Sequence, residues 1–434
     1  MKPVNTIALN RAERAKKQVQ RRKKQLLKIP PSELLKLLPQ AELDDLAQGV
    51  GVDVQVKHLF APLLVRLFIL AILQDKDQSL QSLADLYNTR RFEQFSGKGA
   101  HQTKKNSLSD RFSTIKSEYF ENLYDSYLSA LEKKFGKKLG QKHGWLVRFD
   151  STMVALCASL TSIGMRVGAL PKNGKGKAQI KITIGLKGVL PSTVVVSHQQ
   201  SMLSEETALK AAIEAQEAEK DAVITFDMGL KKRKSFKTFS EDGRFFVTRL
   251  KDPRYQVVRT HKEIKGRKHC KLKFSSDQIV HLYESGSTSN LLEHDFRLIV
   301  AQCEFGEHAG KTLYFLTNIM DMTAFEIADI YQRRWDIEVF FKFMKQHIGL
   351  TKLLSTNENG IKCVIYLRML VGSMVWVFSH LNNRTDFSSL KRKFEDEVDW
   401  QVTLIASSIV AESDLIAAKS YLLDYQKGRT KKIT

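Results

Sequence analysis

Cysteine is scarce in this sequence, with 4 in 434 residues, and Cys157, Cys270, Cys303 and Cys363 form no C-x-x-C pair. That scatter excludes a disulfide scaffold and a zinc-finger framework, and it fits incidental thiols in a reducing cytosol. The 11 histidines likewise show no paired ligand spacing. Long apolar runs are also missing. Residues 59–73 and 363–378 are each shorter than ~18 residues and are interrupted by Arg66 and Arg368, as expected of buried helices rather than membrane spans. No h-region with a cleavage site opens the chain, so no secretory signal is expected. No G-x-x-x-x-G-K-[ST] occurs, so ATP use is not expected. Acidic residues are in deficit, 47 Asp+Glu against 69 Lys+Arg, a net charge of +22. A surplus of that size favours a polyanionic partner.

The hydrophobic content of 43% supports packed cores, and 434 residues exceed the usual size of one core. Residues 1–30 carry ten Lys/Arg against one acid, Glu13. This basic arm, with Arg21, Arg22, Lys23 and Lys24 in a row, is expected to touch DNA phosphates. Residues 31–140 read as a helical DNA-binding domain. Two short helical stretches, 79–88 and 107–115, flank a basic loop containing Lys98, Lys104 and Lys105. They form either a helix-turn-helix-like reader with Arg111 on its second helix, or a small bundle with a basic loop. The basic loop at 172–177 reads as a turn. From 145 the pattern changes to three strands (145–156, 178–186, 192–198), a helix (205–220) and a fourth strand (222–230), a mixed α/β core. More short strands follow to 320, including CKLKF and QIVHLYE as separate segments, and a helical remainder closes the chain.

Two aspartates interrupt apolar strand patterns: Asp150 after Phe149, and Asp227 after Phe226. Aspartate is disfavoured in strands, and a buried carboxylate needs a partner or a cation. A third carboxylate, Glu338, lies within YQRRWDIEVFFKFMK, which spaces Tyr331, Arg334, Glu338 and Lys345 as Y-x-x-R-x-x-x-E-x-x-x-x-x-x-K. On one continuous helix these four side chains would project within roughly 60° of one another, beside an apolar stripe of Ile337, Phe340, Phe341 and Met344. Three carboxylates suit hard divalent cations that leave positions open for water and phosphate. Two such ions can serve an in-line phosphodiester displacement. The bland alternative is a solvated helix with i,i+3 and i,i+4 charge pairs.

With RFDST at Asp150, TFDMGL at Asp227, FVTRLKD at 246–252, FLTN at 315–318 and the Y-R-E-K spacing, the chain resembles bacterial DDE transposases of the insertion-sequence-four family. The resemblance spans roughly 145–381. It implies an α/β fold with a ribonuclease-H-like mixed-sheet catalytic core (144–235 and 321–385) interrupted by a β-rich insertion (236–320). A helical N-terminal DNA-binding region precedes this core, and a helical segment (386–434) follows it. It further implies Asp150, Asp227 and Glu338 as catalytic metal ligands for two Mg²⁺, with Mn²⁺ able to substitute. Tyr331, Arg334 and Lys345 match positions that hold DNA phosphates. The expected activity is metal-dependent cut-and-paste transposition by end nicking, a hairpin and strand transfer. Double-stranded transposon ends and target DNA would be the partners of a homodimer in a bacterial cytoplasm, at the nucleoid. No Trp occurs between Trp145 and Trp335, so the aromatic receiving a flipped base would be Tyr314, Phe315 or Trp335. Two rivals are a catalytically inactive, domesticated DNA-binding derivative, and a recombinase using Tyr331 as nucleophile. The latter lacks a clustered Arg/His set.

Overall fold

The computed structural model describes residues 27–407, apart from 75–77, 98–100, 140–143, 157–162, 168–176, 217–221, 285–288, 307–308 and 356. Arg21, Arg22, Lys23 and Lys24 and nearly all of the loop 172–177 lie outside the described residues.

The N-terminal part consists of α1 (Ser32–Leu35), α2 (Gln40–Val50), α3 (Ala61–Leu73), α4 (Leu80–Tyr87), α5 (Arg90–Ser96), α6 (Lys105–Thr114) and α7 (Ser117–Phe135). In α3 every residue but Arg66 is buried, and Pro62 sits in the first turn, where its missing N–H costs no helical bond. The carboxylate of Asp53 accepts the Ala61 N–H at the start of α3 and pairs with Arg111 at 2.6 Å. Arg111 also donates to the carbonyls of Leu59 and Val52. Through Nε and Nη2 it therefore ties α6 to the bundle. Lys104 and Lys105 stay exposed at the same corner.

The sheet begins with β1 (Leu146–Leu156), β2 (Met165–Val167), β3 (Lys177–Lys187) and β4 (Leu190–Ser197), followed by α8 (Glu205–Ala215), β5 (Val223–Thr225), α9 (Arg233–Glu241) and β6 (Phe245–Leu250). β1 is antiparallel to β3 and parallel to β5, while β6 is parallel to β5. The order β4-β3-β1-β5-β6, three antiparallel strands and then two parallel to the first, is the ribonuclease-H-like arrangement. Next come β7 (Tyr255–Thr260), β8 (Lys268–His269), β9 (Leu272–Tyr283), β10 (Leu291–Cys303) and β11 (Thr312–Thr317). These do not form a separate layer. β11 pairs with β6, so the strands among the described residues make one 11-stranded sheet. The expected insertion range from 236 also contains β6, whose pairing carries the parallel part of the sheet on to Leu250.

LKF of the first segment and QIVHLY of the second belong to one continuous strand, β9, with Cys270 and Lys271 in the turn before it. Within it Asp277 is fully buried and forms a two-pronged pair with Arg297 of β10 at 2.9 and 2.7 Å. Arg297 also donates to the carbonyls of Ile319 and Met322, which fastens the added strands to the chain leading into α10 (Ala324–Gln332).

Alternation along β1 sends Val147 and Phe149 toward α8 and α9, while Leu146 and Val154 face the opposite side. That opposite side is covered by α10, α11 (Trp335–Phe343), a π-helical turn (Met344–Ile348) and α12 (Glu358–Leu381). α13 (Phe387–Ser407) follows. α12 is 24 residues long and apolar enough to cross a membrane by length and composition, yet 94% of its apolar window is buried inside the protein. Its buried side chains join the N-terminal helices and the sheet in one core.

Candidate active site

β1 places Arg148 and Asp150 two residues apart, hence on one face of the sheet, the face under α11. The β1–β5 ladder ends at Arg148 opposite Thr225. Extending the same register by two residues sets Asp150 beside Asp227. Asp227 is not strand-borne, as the sequence pattern suggests; it lies two residues past the end of β5 and is exposed. The apolar run ends at Phe226, whose carbonyl is held by the Thr248 hydroxyl, and the chain then turns away.

Tyr331, Arg334, Glu338 and Lys345 do not share one helix. α10 ends at Gln332 and α11 begins at Trp335, and i,i+3 bonds close the turn between them: Arg334 N–H to Tyr331 O and Asp336 N–H to Arg333 O, both at 3.0 Å. Tyr331 therefore belongs to α10, Arg334 caps α11, Glu338 lies in its first turn, and Lys345 sits exposed in the π-helical turn.

The break brings Tyr331 and Arg334 onto the carboxylates. The Tyr331 hydroxyl donates to Asp227 Oδ1 at 3.2 Å, and Arg334 Nη2 donates to Glu338 Oε1 at 2.5 Å. The guanidinium carbons of Arg249 and Arg334 lie 5.6 and 5.8 Å from the Tyr331 ring centre, and Phe315 packs edge-on against it. Burial, then the Asp227 charge, pushes the Tyr331 phenol up to about 12. Asp150 is raised to about 6, first by burial and further by Glu338 and Asp227, against the Ser151 N–H and Arg334, which lower it. Burial opposes the charge of Arg334, but its bond to Glu338 and the nearby Tyr331 and Asp227 hold its pKa above the ordinary value. Its Nε and Nη1 are buried with no protein partner. Asp227, Arg249, Tyr331, Arg333 and Arg334 line an open cavity of about 930 Å³.

Of the three aromatics considered for a flipped base, Phe315 is buried and Tyr314 half-buried, whereas Trp335 is 60% exposed on the cavity wall. A pair that sequence reasoning missed is Arg148–Asp336. Arg148, 2% exposed, donates Nη1 to Asp336 Oδ2 at 3.1 Å and Nη2 to the carbonyls of Leu186 and Gly188. Burial pulls it down to about 10 against the pull of Asp336. The available signal was the spacing: Arg148 stands two residues before Asp150, and Asp336 two before Glu338.

Asp150 from the first strand, Asp227 from just past the adjacent parallel strand and Glu338 from a later helix thus meet on one side of a ribonuclease-H-like sheet, close enough to influence one another electrostatically. Residues 144–372 match the family described as the Transposase DDE domain, over more than half of the chain, and the protein belongs to that family. It is a DNA transposase. The probable transposase of insertion sequence element IS5377 from Geobacillus stearothermophilus is 23% identical over 404 residues, covering 87% of this chain and 94% of that one. The putative transposase of insertion sequence element IS4SA from Synechocystis is 24% identical over 270 residues, covering 59% and 67%. Among solved structures, the piggyBac transposase synaptic complex with hairpin DNA aligns with a TM-score of 0.46 and 9% identity, covering 90% of this chain and 84% of that one.

Proposed function

We propose that Asp150, Asp227 and Glu338 are the catalytic carboxylates of a cut-and-paste transposase and hold two divalent cations, Mg²⁺ or Mn²⁺. The observation carrying this reading is the gathering of three carboxylates from separate elements: Asp150 on β1, Asp227 just past β5 and Glu338 in the first turn of α11. Burial and the two neighbouring carboxylates raise the pKa of Asp150, and divalent cations held by the three residues would offset this crowding of negative charge. The all-oxygen donor set fits hard ions. When bound, such ions activate the attacking oxygen and stabilise the leaving one.

The chain's own residues supply the remainder. Arg334 neutralises Glu338 and keeps two buried donors unpaired, which suits it to exchange Glu338 for a phosphate as DNA arrives. Tyr331 orients Asp227 through its hydroxyl. Lys345, exposed one helical segment further on, contributes a point charge to the backbone of the DNA end. Trp335 is the aromatic placed to stack on an unpaired base, and it supports a hairpin step after the first nick. Transesterification conserves the phosphodiester bond and needs no ATP. Two copies acting on two transposon ends would form the active homodimer, in the bacterial cytoplasm at the nucleoid.

The test is nicking of a transposon-end duplex in Mg²⁺, with a gel shift run in parallel. Asp150→Asn, Asp227→Asn and Glu338→Gln are expected to lose nicking and keep end binding. Near-normal nicking by any one of them removes that residue from the site. In the same gel shift, deleting residues 1–30 is expected to flatten the slope of log K against log salt, by ~0.9 for each phosphate the arm neutralises. An unchanged slope removes the arm, including Arg21, Arg22, Lys23 and Lys24, from the DNA interface. The match of residues 144–372 to the transposase family does not favour the inactive-derivative reading.

A further inference from the structure

We propose that His269, Cys270 and Asp329 form a binding site for a borderline divalent transition-metal ion of the zinc class, fastening the β8–β9 hairpin to α10. This goes beyond the transposase reading and stands or falls separately from it. The ligand atoms of the three residues all lie within 4.8 Å of one another. A tetrahedral ion with bonds of roughly 2.0–2.3 Å spaces its ligands about 3.3–3.7 Å apart, so closure takes about an ångström of side-chain adjustment. His269 Nε2 already meets Asp329 Oδ1 at 2.9 Å. Its ring lies stacked on Phe325, 5.1 Å between centres and 23° between planes, which holds the imidazole against α10.

Cys270 supplies the third ligand from the first position of the two-residue turn between Lys268–His269 and Leu272, with φ at 53°. Glycine or asparagine is favoured at such a position, and cysteine is not. Turn chemistry alone therefore does not account for the thiol, which is exposed and directed at an existing His–Asp pair. Nitrogen, sulfur and carboxylate together suit zinc-like ions and not Mg²⁺, so this site and the three catalytic carboxylates would sort metals by ligand type. Three protein ligands leave a fourth position for water.

Placement gives the site its consequence. Asp329 precedes Tyr331 by two residues on α10, and Lys271 follows Cys270; both Asp329 and Lys271 line the cavity that contains Asp227 and Arg334. A bound ion would fix the hairpin at the rim of that cavity and stiffen the helix that carries Tyr331.

The experiment is a Co²⁺ titration of the full-length protein in excess Mg²⁺, read by the thiolate-to-cobalt charge-transfer absorption. The proposal expects a band that saturates at a single equivalent and disappears in Cys270→Ser and Cys270→Gly; the glycine variant also relieves the turn, so impaired folding cannot mimic impaired ligation. His269→Gln and Asp329→Asn are expected to weaken Co²⁺ binding by roughly 10-fold or more. Asp150→Asn should leave the band unchanged. Absence of a thiolate band in the wild type, or a band that persists in Cys270→Gly, overturns the proposal.

Discussion

Arg148 and Asp336 tie the strand that carries Asp150 to the helix that carries Glu338. Each stands two residues before the carboxylate it supports, and they meet at 3.1 Å. One partner is 2% exposed and the other 50%, so the interaction is screened at one end and anchored at the other by the carbonyls of Leu186 and Gly188.

Arg148→Met is therefore expected to slow end nicking by roughly 10–100-fold while end binding in a gel shift is retained, because it loosens the spacing between the carriers of two proposed metal ligands rather than a DNA-binding group. Asp336→Asn should cost less, since its side chain faces water. A double-mutant cycle on nicking rates reads the coupling; strictly additive effects would make Arg148 a packing residue only.

The pH dependence of the metal-free protein follows from Asp150. Its pKa rises from 3.8 to about 6 on folding, so the folded state binds the proton more tightly than the unfolded state does. The stability this contributes is fully present below pH 3.8 and is lost as pH rises through about 6. Asp150→Asn removes the effect. At pH 7 and without divalent cations the variant should be more stable than the wild type, by on the order of 2–3 kcal/mol at most. Denaturant melts at pH 4, 5, 6 and 7 check this; equal stability of both proteins at pH 7 would show that Asp150 is not destabilised by its neighbours.

Arg334→Lys keeps the charge and loses the planar fork. If the guanidinium exchanges Glu338 for a phosphate, the variant should lose up to roughly 10²-fold in rate, more in the steps after the first nick than in the nick itself. A time course resolving nicked, hairpin and excised products is the measurement. Equal slowing of every step would leave only general phosphate binding.

Arg297→Met strands Asp277 in the sheet interior without a partner, at an expected cost of roughly 3–5 kcal/mol in denaturant unfolding. Adding Asp277→Leu should return much of that stability. A single variant as stable as the wild type would mean that water or another group reaches Asp277.

These four sites differ in how far the sequence announces them. Asp150 and Asp227 are legible because a carboxylate after a run of Val, Ile and Phe has few structural excuses, and the strand order of the ribonuclease-H-like core follows from the same alternation. The break after Gln332 is not legible. YQRRWD contains neither Gly nor Pro and is compatible with a helix throughout, so nothing local announces the interruption; the contact that accompanies it, the Tyr331 hydroxyl on Asp227, spans 104 residues. β9 reads as two segments in the sequence because Ser275, Ser276 and Asp277 look like a turn. Asp277 stays in the strand because Arg297, 20 residues away, neutralises it inside the sheet. His269 and Asp329 are 60 residues apart, a separation at which no spacing rule operates.

The interrupted helix also changes what the Y-R-E-K spacing measures. On an unbroken helix it would mark one face, and a residue inserted along it would rotate everything beyond by about 100°. Here the count runs across a tight turn and a π-helical turn, each of which sets the phase of the segment after it. The number of intervening residues therefore matters alongside the side chains among them that are buried or paired, such as Ile337, Phe340 and Asp336. The motif is thus a tally of backbone steps between three separately anchored pieces, and a one-residue deletion near Arg333 would do more damage than most substitutions there.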